Sequence, residues 1–177
     1  MRKFIFYNFL LLIILSCKKD DNSIDVRDVG EQALIDDSSL KNYLETHFYN
    51  YEDFNKADDF ENLEIIIDSI YDENVNKDPL IDKVLKKNIP IESSNGPINH
   101  VLYYLPVNNG IGENPSIADS VYVSYKGSLL NGYLFDQSIT PIWFDLTGVV
   151  RGFKEGISEF KPGDFTVNDD NTVNYQN

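Results

Sequence analysis

Few residues of this 177-residue chain could carry covalent or metal chemistry. It has two histidines, His47 and His100, and a single cysteine, Cys17. The histidines are far apart in sequence, and one cysteine excludes a disulfide framework and a Cys-rich zinc or iron–sulfur site. Asp72, Asn74, Asn76 and Asp78 alternate as in a helix–loop–helix calcium loop. The sixth position of that pattern is Lys77 rather than Gly, however, and the twelfth is Lys83 rather than Glu, so the stretch reads as a polar turn. Gly110 and Gly112 lack the third glycine and the following helix of a phosphate-binding loop. His47 stands beside Phe48 on the apolar side of a helical pattern and reads as a packed side chain. No metal and no cofactor is expected.

The elements that must position any site fall into two zones. The length suits one ordinary domain, or a small domain with a pre-domain. At 42% hydrophobic residues the chain can fill a core, and a net charge of −14 argues against nucleic acid as a partner. Residues 18–97 hold 9 Lys+Arg against 20 Asp+Glu, so most of the negative charge lies there. Asp37-Ser38-Ser39 precedes Leu40, Tyr43, Leu44, His47 and Phe48, which predicts an amphipathic helix with a cap in front. The β-branched run Leu63 to Ile70 predicts a strand. Leu80 to Ile89 fits a strand or a short helix. The breakers of Pro90 to Pro97 suggest a linker.

From Ile98 onward the pattern changes to short strands. Val101 to Leu105 is the first, followed by a long loop over Pro106 to Asp119. Val121, Val123 and Tyr125 alternate with Tyr122, Ser124 and Lys126, a strand with one apolar face. Asn131-Gly132 is a strong hairpin signal, turning Ser128–Leu130 back into Tyr133–Phe135. Ile142, Phe144 and Leu146 alternate again. Phe153, Ile157 and Phe160 recur at helical spacing until Lys161-Pro162-Gly163 stops them. Strands and a helix that each have one apolar face must bury those faces against one another. The expected class is α+β, a curved antiparallel sheet wrapped on a short helix.

The blocks Val121-Tyr-Val-Ser-Tyr-Lys-Gly-Ser-Leu-Leu-Asn-Gly-Tyr-Leu-Phe-Asp136, Pro141-Ile-Trp-Phe-Asp-Leu146 and Val149-Val-Arg-Gly-Phe-Lys-Glu-Gly-Ile157 resemble the FK506-binding-protein (FKBP) family of peptidyl-prolyl isomerases. The resemblance implies an isomerase that assists folding of extracytoplasmic proteins by twisting X–Pro amides of proline-containing clients. Such rotation is slow because it breaks amide resonance, a barrier of roughly 18–20 kcal/mol. A twisted amide has lost that resonance and tolerates a dry pocket better than a planar one, so no nucleophile, metal or base is needed. The family pattern implies Tyr125 and Phe135 as pocket wall and Asp136 as the polar group. Val149 and Val150 become the rim, with the Val150 N–H donating to a substrate carbonyl. Phe153 takes the place of the usual Trp floor. Ile142 and Phe144 add apolar surface, Phe144 chiefly as core. The family domain continues beyond Asn177, so the resemblance implies an FKBP-like fold incomplete at the C-terminus. A non-catalytic client-binding or chaperone module, or a gliding-motility-associated surface lipoprotein, is the alternative.

Arg2-Lys3, the apolar run Phe4 to Leu15 and Ser16 form a secretory signal pattern. Ile14-Leu15-Ser16-Cys17 resembles the lipobox of bacterial lipoproteins, which implies lipidation of Cys17. Lys18-Lys19-Asp20-Asp21 resembles the export tetrapeptide of Bacteroidetes-type lipoproteins. The expected organisation is a signal peptide (1–16), a lipidated tether (17–30), a small acidic α/β pre-domain (31–97) and a partial FKBP-type domain (98–177). The protein would then be exported and lipid-anchored to the bacterial outer membrane, with surface exposure as the further implication of the tetrapeptide.

Overall fold

A computed structural model describes residues 28–56, 63–163, 165–170 and 172–175. The signal pattern, Cys17 and the tetrapeptide lie outside the described residues. Helix α1 (Val29–Thr46) begins well before the expected cap. The side chain of Asp28 accepts from the N–H groups of Gly30 (2.9 Å) and Glu31 (3.1 Å), satisfying donors that the first turn leaves open. Asp37, Ser38 and Ser39 are therefore interior helical residues. Asp37 pairs with Lys41 one turn on (2.7 Å), and Ser39 donates to the Ile35 carbonyl. The helix also ends earlier than expected, because His47 and Phe48 enter strand β1 (His47–Tyr49). His47 stacks on Tyr43 with ring centroids 3.8 Å apart, a packed histidine.

A short helix α2 (Tyr51–Lys56) follows, and β1 pairs antiparallel with β2 (Ile67–Ser69). The expected strand over Leu63 to Ile70 shrinks to these three residues. Beyond them the Asn50 side chain replaces a backbone partner, accepting from the Ile66 N–H (2.9 Å) and donating to the Glu64 carbonyl (3.2 Å). Leu80 to Ile89 divides: a 3₁₀ turn over Leu80–Asp82 buries Leu80, and strand β3 (Leu85–Ile91) follows. Ala33, Leu44, Phe48, Leu80 and Ile89 form the buried apolar set of this half.

Strand β3 pairs with β4 (Ile98–Tyr104) from Leu85↔Tyr104 to Ile91↔Ile98. The breaker-rich Pro90 to Pro97 stretch is thus the tip of a hairpin rather than a free linker. Ser93 and Gly96 close it through reciprocal backbone hydrogen bonds, with the Ser93 hydroxyl donating to the Gly96 carbonyl (2.6 Å). The next hairpin joins β5 (Ser120–Ser128) to β6 (Leu134–Asp145), longer and more continuous than the expected short strands. The hairpin falls where Asn131-Gly132 predicts, but its turn is wider than a two-residue one: the last ladder pair is Ser128↔Leu134, and the Gly132 N–H donates to the Leu129 carbonyl (2.9 Å). Gly132 alone in the turn has a positive φ (+82°), and the Asn131 side chain accepts from the Tyr133 N–H (3.0 Å).

Helix α3 (Arg151–Ile157) lies between these two ribbons. A Cβ at Gly156 would meet Leu102 of β4 at 3.8 Å, and Tyr104 meets Phe160 edge-on at 6.0 Å. The loop over residues 106–119 clasps the far end of the helix. Gly110 lies directly against the carbonyl oxygens of Lys161 and Pro162, Ile111 donates its N–H to Pro162 (3.1 Å), and Asn114 donates to Ser158 (2.9 Å). The polar tail also contains a ribbon that its sequence does not announce, β7 (Phe165–Val167) with β8 (Val173–Tyr175). The α+β class is as expected. Among the described residues the strands pair as four separate two-stranded ribbons rather than one continuous sheet.

Candidate functional site

Alternation along β5 turns Val121, Val123, Tyr125 and Gly127 to the partly buried face and Tyr122, Ser124, Lys126 and Ser128 to the exposed one. Tyr125 therefore points toward α3. Phe144 comes from β6 and Phe153 from the first turns of α3. The three rings form a closed triangle of edge-on contacts, with centroids 5.3 Å (Tyr125–Phe144), 5.5 Å (Phe144–Phe153) and 6.2 Å (Tyr125–Phe153) apart. One polar group enters this surface: the Tyr125 hydroxyl donates to Asp136 Oδ2 at 2.7 Å. That hydrogen bond holds the hydroxyl proton above the usual phenol range.

The remaining expected residues surround this centre less closely. Phe135 is 61% exposed and rests its ring edge on Gly127; a Cβ there would come within 2.7 Å of Cζ. Ile142 faces Val123 across the ribbon and is 39% exposed. Val149 is half-buried, while Val150 is 76% exposed and caps α3. Among the described residues no acceptor meets the Val150 N–H. The structure thus brings Tyr125, Asp136, Phe144 and Phe153 together and sets Phe135, Ile142 and Val150 at an open margin.

The rim is aimed by residues the motif reading did not single out. Leu146 is fully buried, and its N–H donates to the Asp119 carbonyl (2.9 Å). Asp145 accepts from the Thr147 hydroxyl (2.6 Å) and N–H (2.9 Å), which holds its carboxyl below the usual carboxylate range. These bonds shape the 3₁₀ turn over Leu146–Gly148 that delivers Val149 and Val150. The signal was available, since Asp-x-Thr before a short turn is a common side-chain-to-backbone motif. Among the described residues, no cluster of three or more His, Cys, Asp or Glu could hold a metal ion.

A wider groove of about 1150 Å³ opens beside the β5–β6 ribbon, between Leu63, Ile65 and Ile67 and the hairpin residues Leu129, Leu130 and Ile139. Tyr125 lines it too, but Asp136, Phe144 and Phe153 do not, and its polar pair is the open Lys126–Glu64 ion pair (3.0 Å) rather than a group set against apolar rings. The aromatic triangle is the better site, because specificity needs a few fixed polar groups in an apolar surround.

Residues 112–167 match the family model of the FKBP-type peptidyl-prolyl cis-trans isomerases. Over 65 residues the chain is 45% identical to the FKBP-type peptidyl-prolyl cis-trans isomerase FkpA of Escherichia coli K12, covering 35% of this chain and 24% of that protein. It is 38% identical over 65 residues to the peptidyl-prolyl cis-trans isomerase Mip of Coxiella burnetii, 35% of this chain and 28% of that one. The FkpA protein of Buchnera aphidicola is 33% identical over 96 residues, 52% of this chain and 36% of that one. The chain thus spans about a quarter to a third of the length of these curated relatives. No solved structure matches. The aromatic triangle and its Tyr125–Asp136 pair thus lie within the segment, residues 112–167, that is similar to the FKBP-type peptidyl-prolyl cis-trans isomerases.

Proposed function

We propose that this protein is a peptidyl-prolyl cis-trans isomerase acting on proline-containing polypeptides, with its site at the aromatic triangle. The observation that carries this reading is the Tyr125–Asp136 hydrogen bond set beside the rings of Phe144 and Phe153. The apolar faces take the proline ring and exclude water from the X–Pro amide. As the amide twists, its oxygen and nitrogen lose their shared charge, so a dry surface disfavours the planar forms relative to the twisted one. In this reading the N–H of Val150, a residue at the open margin, donates to a substrate carbonyl and holds the chain while the bond rotates. Phe135, Ile142 and Val149 line the approach. No covalent bond forms or breaks. An acceleration of about 10⁵ requires roughly 7 kcal/mol of preference for the twisted amide.

A protease-coupled peptide assay on the full-length protein tests this directly. Acceleration that disappears in Asp136→Ala and in Tyr125→Ala supports the enzyme. A correctly folded protein that accelerates nothing refutes it.

The cellular setting is part of the same proposal and rests on sequence alone. Arg2-Lys3, the apolar run to Leu15 and Ser16-Cys17 support export and lipid attachment at Cys17, with folding of extracytoplasmic proteins as the task and the outer membrane as the place. Incorporation of labelled palmitate that persists in Cys17→Ala would remove the anchor.

A further inference from the structure

Helix α3 carries Phe153, yet little in its own sequence can hold it in place. It has seven residues, too few for a helix that is stable by itself, and two of them are Gly152 and Gly156. Its N-cap, Val150, offers no side-chain hydrogen bond. The direction of Phe153 must therefore be set by what grips the helix from behind. Phe153 and Glu155 are two residues apart, which places them about 200° apart around the helix axis. Phe153 faces Tyr125 and Phe144, while Glu155 faces the β3–β4 ribbon.

Lys87 of β3 meets that rear face. Its ammonium lies 3.1 Å from Glu155 Oε2 and 2.7 Å from Glu159 Oε1. Glu155 also reaches Arg151 (3.4 Å), the first residue of the helix, so the network runs its whole length. The side chains are 33% (Lys87), 14% (Glu155) and 27% (Glu159) exposed. In every other ion pair among the described residues at least one partner is more open than this. The Lys87 pairs are accordingly less screened by water and salt than an ordinary surface pair. The hydrogen bond from Lys87 holds the Glu155 carboxyl below its usual range, and that to Glu159 holds the Lys87 ammonium above its own. Without Lys87, Glu155 and Glu159 would be two like charges one turn apart.

We propose that Lys87, which lies outside the family-matched segment, is a positioning residue of the isomerase site. It fixes the rotation of α3 about its axis and so the angle at which Phe153 closes the aromatic triangle. This rests on the isomerase reading given above. It makes the β3–β4 ribbon a working part of the site rather than a neighbour of it.

The test compares Lys87→Met with Lys87→Arg in the full chain, using steady-state peptide isomerisation. A second readout uses Trp emission and acrylamide quenching in a Phe153→Trp, Trp143→Phe background. A ring misplaced by about 1 Å can cost up to about 100-fold, so Lys87→Met should lower kcat by at least about fivefold with KM within about twofold. The Trp at position 153 should become more quenchable, and Lys87→Arg should restore both properties. If Lys87→Met does not fold, Glu159→Gln, which removes one of the two pairs, should move both readouts in the same direction. An unmoved Trp signal overturns the proposal whatever the activity, and so does unchanged kcat per folded molecule in an active chain. A moved signal in a chain that accelerates nothing keeps the positioning role and removes the isomerase reading instead.

Discussion

Replacing Gly127 by alanine separates function from stability at this site. The added Cβ would sit 2.7 Å from Phe135 Cζ and 2.8 Å from Cε2. Carbon atoms in good contact are about 3.5–4.0 Å apart, so the tip of the ring must retreat by roughly 1 Å. Phe135 is 61% exposed and can swing outward, at a cost of about 0.5–1.5 kcal/mol if it leaves its rotamer. Gly127 does not have a positive φ, and alanine restricts the unfolded chain, which returns about 0.4–1 kcal/mol. These terms nearly cancel, so the urea midpoint should hardly change. Catalysis should suffer, because a displacement of about 1 Å in a wall of the site can cost up to about 100-fold. In the protease-coupled assay, Gly127→Ala should lose at least about tenfold in kcat/KM while remaining as stable as the parent. A fully active Gly127→Ala protein would show that Phe135 does not contact the substrate, and the pocket would then have to be drawn without it.

Leu146 is fully buried beneath the turn that carries Val149 and Val150, so Leu146→Ala should cost about 2–5 kcal/mol in urea unfolding; a loss well below ~1 kcal/mol would mean that the turn is held mainly by Asp145 and Asp119. The Tyr103 hydroxyl donates to Asp37 (2.7 Å) and is pushed up to about 12, chiefly by burial and then by that hydrogen bond. Because the folded chain holds this proton more tightly than the unfolded one, the contribution is complete below the unfolded value of 10.0 and is lost as pH rises through about 12. Thermal melts over that range should fall less steeply for Tyr103→Phe, and parallel curves would refute the link. Asp37 has the opposite sign: Lys41 and Tyr103 hold its carboxyl below 3.8, so its contribution should disappear as acid protonates it, and Asp37→Asn should blunt the acid limb of the same melts.

The parts of the fold that are legible in the sequence are those decided locally. Asn131-Gly132 supplies the turn and the alternation from Val121 to Lys126 supplies the face, so the direction of Tyr125 follows from the residue pattern alone. Where expectation and fold differ, the cause is shared: a polar side chain can fill more than one role. Asp37, Ser38 and Ser39 are good caps, but they are also tolerated on an exposed helical face once Asp28 has started the helix. Asn50 replaces a strand partner and shortens β2. The Pro90 to Pro97 breakers serve a hairpin tip as well as they would a linker. Lys87 is beyond the reach of sequence reasoning, since its partner Glu159 is 72 residues away and nothing in either neighbourhood announces the pairing.

Gly110 presses its α-carbon against the peptide oxygens of Lys161 and Pro162, where even one methyl group would collide with main chain that has no rotamer to yield. The long loop and the tail of α3 are therefore fastened by shape as well as by the bonds of Ile111 and Asn114. Anything that prises the loop away also frees the end of the helix that carries Phe153. Breathing of this surface clasp and loosening of the aromatic floor thus become a single event, observable as shared amide-exchange kinetics on both sides of the seam.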